Sequence, residues 1–367
     1  LAAKSGSTVI VSGSDATDHV EDYLYHGAQY ILAGEGEATL VSLLDALTGR
    51  TQEPPEKVTG LVYRNNGQTV RTPPRGFMKD LDVLPEPARD LIDMEEYRLA
   101  WHRRHGYFSM NMVTTRGCPF KCNWCAKPIY GNRYNSHSPE YVAQQLLDLK
   151  SRYGPDHIWF ADDIFGLKPE WVVAFSKQVN ALGARTPYKI QARVDLLTED
   201  VVAALKQSGC TMVWVGAESG AQHILDAMDK GTTVSQIRDA AERLRRHGIK
   251  VGFFLQFGYP GETREDIDST IDMVTACTPD VIGISVSYPL PGTTFYEHVK
   301  ADLQIKKNWT ESDDLAIMFQ GSFDPEFYRV LHTVVHARFR AQKGWQALLN
   351  CLRSPLKPGR TRLQTIA

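Results

Sequence analysis

Cysteine is scarce in this chain, with six in 367 residues. That is too few for the disulfide framework of a small secreted domain. Long apolar runs are missing too. No stretch of about 18 consecutive apolar residues occurs, so no segment reads as a membrane-spanning helix. Nor is there an excess of either charge: 41 Lys plus Arg face 43 Asp plus Glu, for a formal net charge of −2. Bulk electrostatic attraction to nucleic acid or to an acidic membrane surface is thereby set aside. What remains is an ordinary globular balance, 43% hydrophobic and 23% charged, at a length suited to roughly two or three domains.

The few cysteines are not spread evenly. Residues 114–128 read TTRGCPFKCNWCAKP, which places Cys118, Cys122 and Cys125 at C-x3-C-x2-C with Trp124 beside the last. For a chain this poor in cysteine, the chance of such a triplet is roughly two in a thousand. The cluster therefore reads as selected and the compartment as reducing, hence cytoplasmic. Cys210, Cys277 and Cys351 stand singly.

Two alternations of strand and helix organise the rest. In residues 8–49, TVIVSG and AQYILAGEG are short apolar runs ending in glycine, each followed by a helix-compatible segment. That is the pattern of a parallel, doubly wound sheet with ligand loops at the strand ends. Two strands are too few for such a sheet, so these residues are expected to be the later part of a longer unit. VTGLVYRNNGQTVRTP reads as a hairpin around Asn65, Asn66 and Gly67, and residues 72–90 as a proline-rich connector.

From about residue 109 the runs SMNMVTT, HIWFADD, YKIQARVD, TMVWVGAES, KVGFFLQFG and VIGISVSYP alternate with helical patterns at 138–152, 169–182, 198–208, 220–247 and 263–277. Six such units fit an open parallel β/α barrel. The expected organisation is residues 1–50 as the first unit, 51–105 as hairpin and connector, 106–305 as barrel and 306–350 as a helical extension. A disordered tail is expected over 351–367.

In such barrels chemistry sits on the loops after the strands. The cysteine loop passes this filter, as do Asp162 and Asp163, Arg193 and Asp195, Glu218, and Gln256 with Gly258. Cys210 and Cys277 precede strands and fall at the opposite rim. In the third strand, Gln191, Arg193 and Asp195 would face the lumen and Ile190, Ala192 and Val194 the helices. A polar lumen suits a barrel that holds a ligand.

Thiolates select zinc or iron–sulfur clusters. Structural zinc takes four closed ligands; of the nearest histidines, His102 and His105 precede the first strand and fall near the wrong rim, while His137, at the start of a helix twelve residues on, stays open as a fourth ligand. A [4Fe–4S] cluster held by three cysteines keeps one iron with an open position, which favours catalysis over structure. The competing readings are a zinc knuckle at the cysteines, helix capping by Asp163 or Glu218, and a lumen ion network pairing Arg193 with Asp195, Asp162 or Glu218.

RGCPFKCNWC resembles the cluster loop of the radical S-adenosylmethionine (SAM) enzymes. FADDIFG, VGAESG, FGYPGET and YPLPGT resemble the cobalamin-binding branch of that superfamily at the corresponding strands, and VIVSGSDATDHVEDYLYHGAQYILAGEGEATL resembles the second half of its cobalamin-binding domain. The connector and tail look most like the anaerobic magnesium-protoporphyrin IX monomethyl ester cyclase type. The fold implied is a partial (β/α)6 radical SAM barrel preceded by the C-terminal half of a Rossmann-like cobalamin-binding domain.

The same resemblance implies roles. Cys118, Cys122 and Cys125 would hold three irons, and the fourth would chelate SAM. Asp162 or Asp163 would accept from the SAM amino group and Arg193 would meet its carboxylate. Glu218 would bind the ribose hydroxyls, Gln256 and Gly258 would lie at the adenine, and Trp124 would pack near cluster or adenine. Ser12, Gly13, Gly34, Glu35 and Gly36 would belong to the cobalamin site, although SGSD stands here where many relatives carry GGxH. Reductive cleavage of SAM would give a 5′-deoxyadenosyl radical for methylation, cyclisation or rearrangement of a small-molecule substrate, with flavodoxin or ferredoxin as electron donor and without nucleic acid. The alternatives are a non-catalytic zinc- or cobalamin-binding scaffold or sensor, and a tRNA methylthiotransferase, which would need a basic C-terminal appendage.

Overall fold

The glycine-ended units at the start build a small sheet. The computed structural model describes residues 5–127, 129–303 and 315–353. Strand β1 (Ile10–Ser12) leads through α1 (Ser14–Asp18) and α2 (Val20–Tyr25) to β2 (Tyr30–Leu32), which pairs with it in parallel, and α3 (Glu37–Leu47) follows. The expected hairpin forms as β3 (Leu61–Asn65) and β4 (Gln68–Arg71). Its turn has Asn66 at φ 49° and Gly67 at φ 82°, the left-handed pair that a tight hairpin requires. The hairpin does not stand apart. β3 pairs antiparallel with β2, giving the sheet order β1-β2-β3-β4. The connector then runs into α4 (Met94–His105), whose N-terminus is capped by the Asp93 carboxylate.

The second alternation gives β5 (Ser109–Met112), the short pair β6 (Thr115–Arg116) and β7 (Asn135–Ser136), α5 (Pro139–Tyr153), β8 (His157–Phe160), α6 (Pro169–Ala181), β9 (Tyr188–Ala192) and α7 (Glu199–Ser208). It continues with β10 (Cys210–Glu218), α8 (Gln222–Ala227), α9 (Val234–Arg246), β11 (Lys250–Phe257), α10 (Arg264–Cys277), β12 (Val281–Val286), α11 (Thr294–Val299) and α12 (Pro325–Arg353). The six long strands form one parallel sheet in the order β12-β11-β10-β9-β8-β5. Its two edge strands do not pair with each other, so the sheet is a partial (β/α)6 barrel.

Local sequence explains the elements. Ser138 caps α5 ahead of Pro139 at its first turn, and Gly154 ends it in the left-handed conformation. In β9, Tyr188, Ile190 and Ala192 are buried against the helices while Lys189 and Gln191 turn half-exposed to the concave side. Phe160, Phe165, Phe175 and Tyr188 pack as one aromatic layer under α6, with ring centroids 5.1 Å apart for Phe160–Phe165 and Phe160–Tyr188. Tyr328, Leu331 and Val335 bury one face of α12 against the same core.

Three expectations change. The helix expected over 220–247 is two helices, because Asp229 (φ 50°) and Gly231 (φ 65°) reverse the chain before Thr233 and Gln236 restart it with a capping box. Strand β9 ends at Ala192, and residues Val194–Leu196 form a 3-10 turn. The strand alternation therefore does not carry Asp195 into the lumen. Residues 351–353 continue α12, and the rest of the expected tail, from 354, lies outside the described residues.

Candidate active site

The cysteine loop leaves β5 and is fixed at both ends. At the near end, Asp162 just past β8 clamps it: the Thr114 amide donates to Oδ1 (2.6 Å), the Thr114 hydroxyl to Oδ2 (2.6 Å) and the Thr115 amide to Oδ1 (3.0 Å). Burial pushes this carboxyl up to about 6. Gly117 turns the chain at φ 77°, where a Cβ would lie 2.5 Å from the Arg133 carbonyl oxygen, so no other residue fits. At the far end, Asn123 is spent on structure. Its Nδ2 donates to the Ala227 carbonyl (2.6 Å) and Asp229 Oδ2 (3.1 Å), its Oδ1 accepts from the Tyr259 hydroxyl (3.0 Å), and its amide donates to the Met228 carbonyl (3.1 Å).

Held this way, Cys118, Cys122 and Cys125 line one cavity of about 490 Å³ at the carboxyl ends of the strands. Burial raises the Cys118 thiol and pushes Cys125 up to about 11. Arg193 reaches across from β9. Its Nε and Nη2 grip the Asp195 carboxylate (3.0 and 3.1 Å), its Nη1 lies 3.8 Å from Cys122 Sγ, and its guanidinium stacks on the Phe120 ring at 3.7 Å. Asp195 thus serves to orient Arg193, and it does not line the cavity.

Glu218 ends β10 at φ 55°, after a bulge beginning at Gly216. This strained corner turns its carboxylate onto Lys230 Nζ at 2.7 Å, both groups being nearly buried. A Cβ at Gly216 would lie 2.4 Å from that Nζ and 2.5 Å from Glu218 Oε1. Trp124 packs beside the pair, with the ammonium 5.9 Å from its ring centroid, and its indole Nε1 is buried without a partner. Both aspartates line the cavity, Asp162 buried and Asp163 the more open, and partial burial raises the Asp163 carboxyl against the lowering pull of the Gly117 amide and Lys127.

Gln256 also lines the cavity and donates from Nε2 to Ser287 Oγ (2.9 Å). Gly258 does not: a Cβ there would point at Ile317 and Tyr328, 2.7 and 3.1 Å away. Its glycine serves the docking of the C-terminal segment. His137 is taken by Asp82 (2.9 Å) and stacks on Tyr141, so it is no fourth ligand.

Sequence reading missed Lys230 and Asn123. The expected continuous helix hid Lys230, although GTTVSQ, with its capping pattern, marked the break. Asn123 carried no signal beyond its place between two cysteines. The residues assigned to the first sheet's ligand site lie apart from this cavity. Ser12, Gly13, Gly34 and Gly36 occupy the adjacent ends of β1 and β2, a Cβ at Gly36 falling 3.8 Å from Ser12 Cβ. Glu35 turns away from them. Its Oε2 accepts from the Met78 amide (2.8 Å) and its Oε1 lies 3.8 Å from Arg116, which also pairs with Glu37.

Residues 112–274 match the model of the Radical SAM superfamily. This stretch is a radical SAM domain. The chain is 33% identical over 283 residues to an uncharacterized methyltransferase of Pyrococcus horikoshii, the match covering 76% of this chain and 60% of that protein. It is 25% identical over 280 residues to the anaerobic magnesium-protoporphyrin IX monomethyl ester cyclase of Cereibacter sphaeroides, covering 75% and 45%. The fold resembles that of OxsB, described as a cobalamin-dependent S-adenosylmethionine radical enzyme, with a TM-score of 0.73, 17% identity and coverage of 99% of this chain and 58% of OxsB. The radical SAM domain contains the three cysteines, Arg193, Glu218 and Lys230, while the first sheet lies outside it.

Proposed function

We propose that the chain is part of a radical SAM enzyme whose cavity holds a [4Fe–4S] cluster on Cys118, Cys122 and Cys125, with SAM beside it. The carrying observation is that three thiols of one loop, pinned at both ends, line one cavity opposite a paired arginine and a buried Lys–Glu pair. The donor set fits. Among the described residues no three His, Cys, Asp or Glu side chains converge as a single metal ion requires, whereas a cluster takes each thiolate on a different iron. Burial disfavours the thiolate form of Cys118 and Cys125, so binding iron releases protons from them.

When bound, the cluster and SAM would supply one-electron cleavage of SAM and hydrogen abstraction. The protein's own contribution is placement. Arg193, oriented by Asp195 and Phe120, offers positive charge beside Cys122 and to a carboxylate. Glu218, fixed by Lys230, presents an acceptor to hydroxyl groups. Asp163 offers an acceptor to an amino group, since Asp162 is committed to the loop. Trp124 walls the site from water.

On the first sheet, Ser12, Gly13, Gly34 and Gly36 would face cobalamin. Gly13, with no atom within 4 Å of an added Cβ, leaves room for close approach. Relatives named as methyltransferase and cyclase support methylation or cyclisation of a small molecule, with a flavodoxin- or ferredoxin-like protein as reductant. The free thiols of Cys118, Cys122, Cys125, Cys210 and Cys277 suit a reducing compartment such as the cytoplasm. Among the described residues no helix is long and apolar enough to cross a membrane.

Anaerobic reconstitution with iron and sulfide should give a brown protein that cleaves SAM under strong reductant, and Cys122→Ala should lose both colour and cleavage. Tightly bound zinc with no iron uptake, or cleavage surviving in Cys122→Ala, would sink the reading.

A further inference from the structure

Below the rim, β10 and β11 place two aromatic rings that the apolar core does not use. Trp214 and Phe254 stack with centroids 4.6 Å apart and planes 24° apart. Neither belongs to the core cluster that the helices cover. Phe254 is 36% exposed, and both rings line the cavity of the cysteine loop.

The sequence makes room for them. A Cβ at Gly252 would lie 2.4 Å from Trp214 Cδ2, and one at Gly283 would lie 3.4 Å from its Cζ3. Glycine inside a strand weakens it and often marks a close approach. Here two neighbouring strands carry glycine where one indole lies flat across them. Trp214 precedes Glu218 by four residues, which sets it roughly 13 Å down the strand from the rim. The cationic side chains that line the cavity are already engaged: Arg193 with Asp195, Lys230 with Glu218, and Lys127 with the Phe120 carbonyl and Asn132. On the strands beside the stacked rings the cavity is lined by neutral groups, the Gln191 amide in register with Trp214 and the cross-strand partners Gln256 and Ser285, while the carboxylates Asp162, Asp163 and Glu218 lie at the rim, at or beyond the strand ends.

We propose that Trp214 and Phe254 form the floor of the substrate site, and that the substrate presents to it a flat, unsaturated, uncharged ring system with hydrogen-bonding groups on its edge. This rests on the reading of the cavity as a catalytic site. Stacked rings favour an offset planar partner over a puckered one of the same size, so the floor selects by shape.

The test uses the full chain and two neutral probes, 2-naphthol and its saturated counterpart decahydro-2-naphthol, with affinities measured by equilibrium dialysis. The planar alcohol should bind at least about tenfold more tightly, and that preference should fall to near unity in Phe254→Leu and in Gly252→Ala. Should Gly252→Ala fail to fold, Phe254→Leu decides, because its side chain already opens to the cavity. Equal affinities in the native chain, or an undiminished preference in Phe254→Leu, overturn the proposal. The measurement needs neither cluster nor SAM. A chain that never cleaves SAM can still show the preference, and one that cleaves it can still lack it, so the two readings fail separately.

Discussion

At the scale of single residues, the cavity depends on groups whose charge is held by one partner. Lys230 and Glu218 are each almost fully buried and meet at 2.7 Å. Lys230→Met leaves Glu218 unpaired, which should cost about 3–5 kcal/mol in denaturant unfolding. Adding Glu218→Gln should restore most of that loss while leaving SAM binding impaired. Glu262, away from the cavity, is the opposite case, a buried carboxyl with no charged partner among the described residues. It is 1% exposed, its Oε2 accepts from the Gly258 amide at 2.6 Å, and burial pushes its carboxyl up to about 8. A carboxyl raised on folding binds more protons in the native state than in the unfolded one. Its contribution is therefore complete below the ordinary carboxylate range and is lost as pH rises towards 8. Stability should fall across that window by as much as about 1.4 kcal/mol per pH unit. Glu262→Gln, which can still accept from Gly258, should flatten the dependence when melting is followed from pH 5 to 8.5. An unchanged slope would show that the carboxyl titrates normally.

At the scale of elements, what matters is how loops are tied to strands. The cysteine loop has little regular structure of its own and depends on Asp162 and Asn123. Asn123→Ala removes the side-chain bonds to Ala227, Asp229 and Tyr259. It should cost about 2–3 kcal/mol and lower the iron retained after reconstitution, read by metal analysis, without touching a thiol. The same ties explain what was legible. Six strands could be read from short apolar runs ending in polar residues, and their neighbours in sequence became neighbours in the sheet. The helix break at 228–233 was missed because amphipathic spacing continues across it, and periodicity does not register a left-handed pair such as Asp229 and Gly231. The packing role of Gly258 was hidden for a related reason. Its glycine is required by Ile317 and Tyr328, which come from a distant part of the chain.

At the scale of the whole molecule, the first sheet touches the radical SAM domain where the cluster loop begins. Arg116, one residue before Gly117, pairs with Glu37, lies 3.8 Å from Glu35 and stacks over Tyr130 at 5.4 Å. Arg116→Ala should cost about 1–3 kcal/mol and speed hydrogen exchange both at residues 34–37 and in the cysteine loop. Faster exchange on one side alone would show that the two units are not coupled through this side chain. The chain spans 60% and 45% of the two curated relatives described above, and this contact joins the first sheet to the domain that carries the cavity.

The sequence by itself determined the things that are local or periodic. These are the three-cysteine spacing, the six β/α units, the hairpin at Asn66–Gly67 and the rim on which the polar residues end. Each follows from neighbours along the chain or from a side-chain repeat. Only the tertiary structure decided what each of those polar residues meets. Asp162 went to the loop and Asp163 to the wall, Asp195 to Arg193, Glu35 towards Arg116, and Lys230 entered from a turn that looked like helix. The physical reason is that burying a charge requires a partner, and which partner lies within reach is set by how distant segments pack.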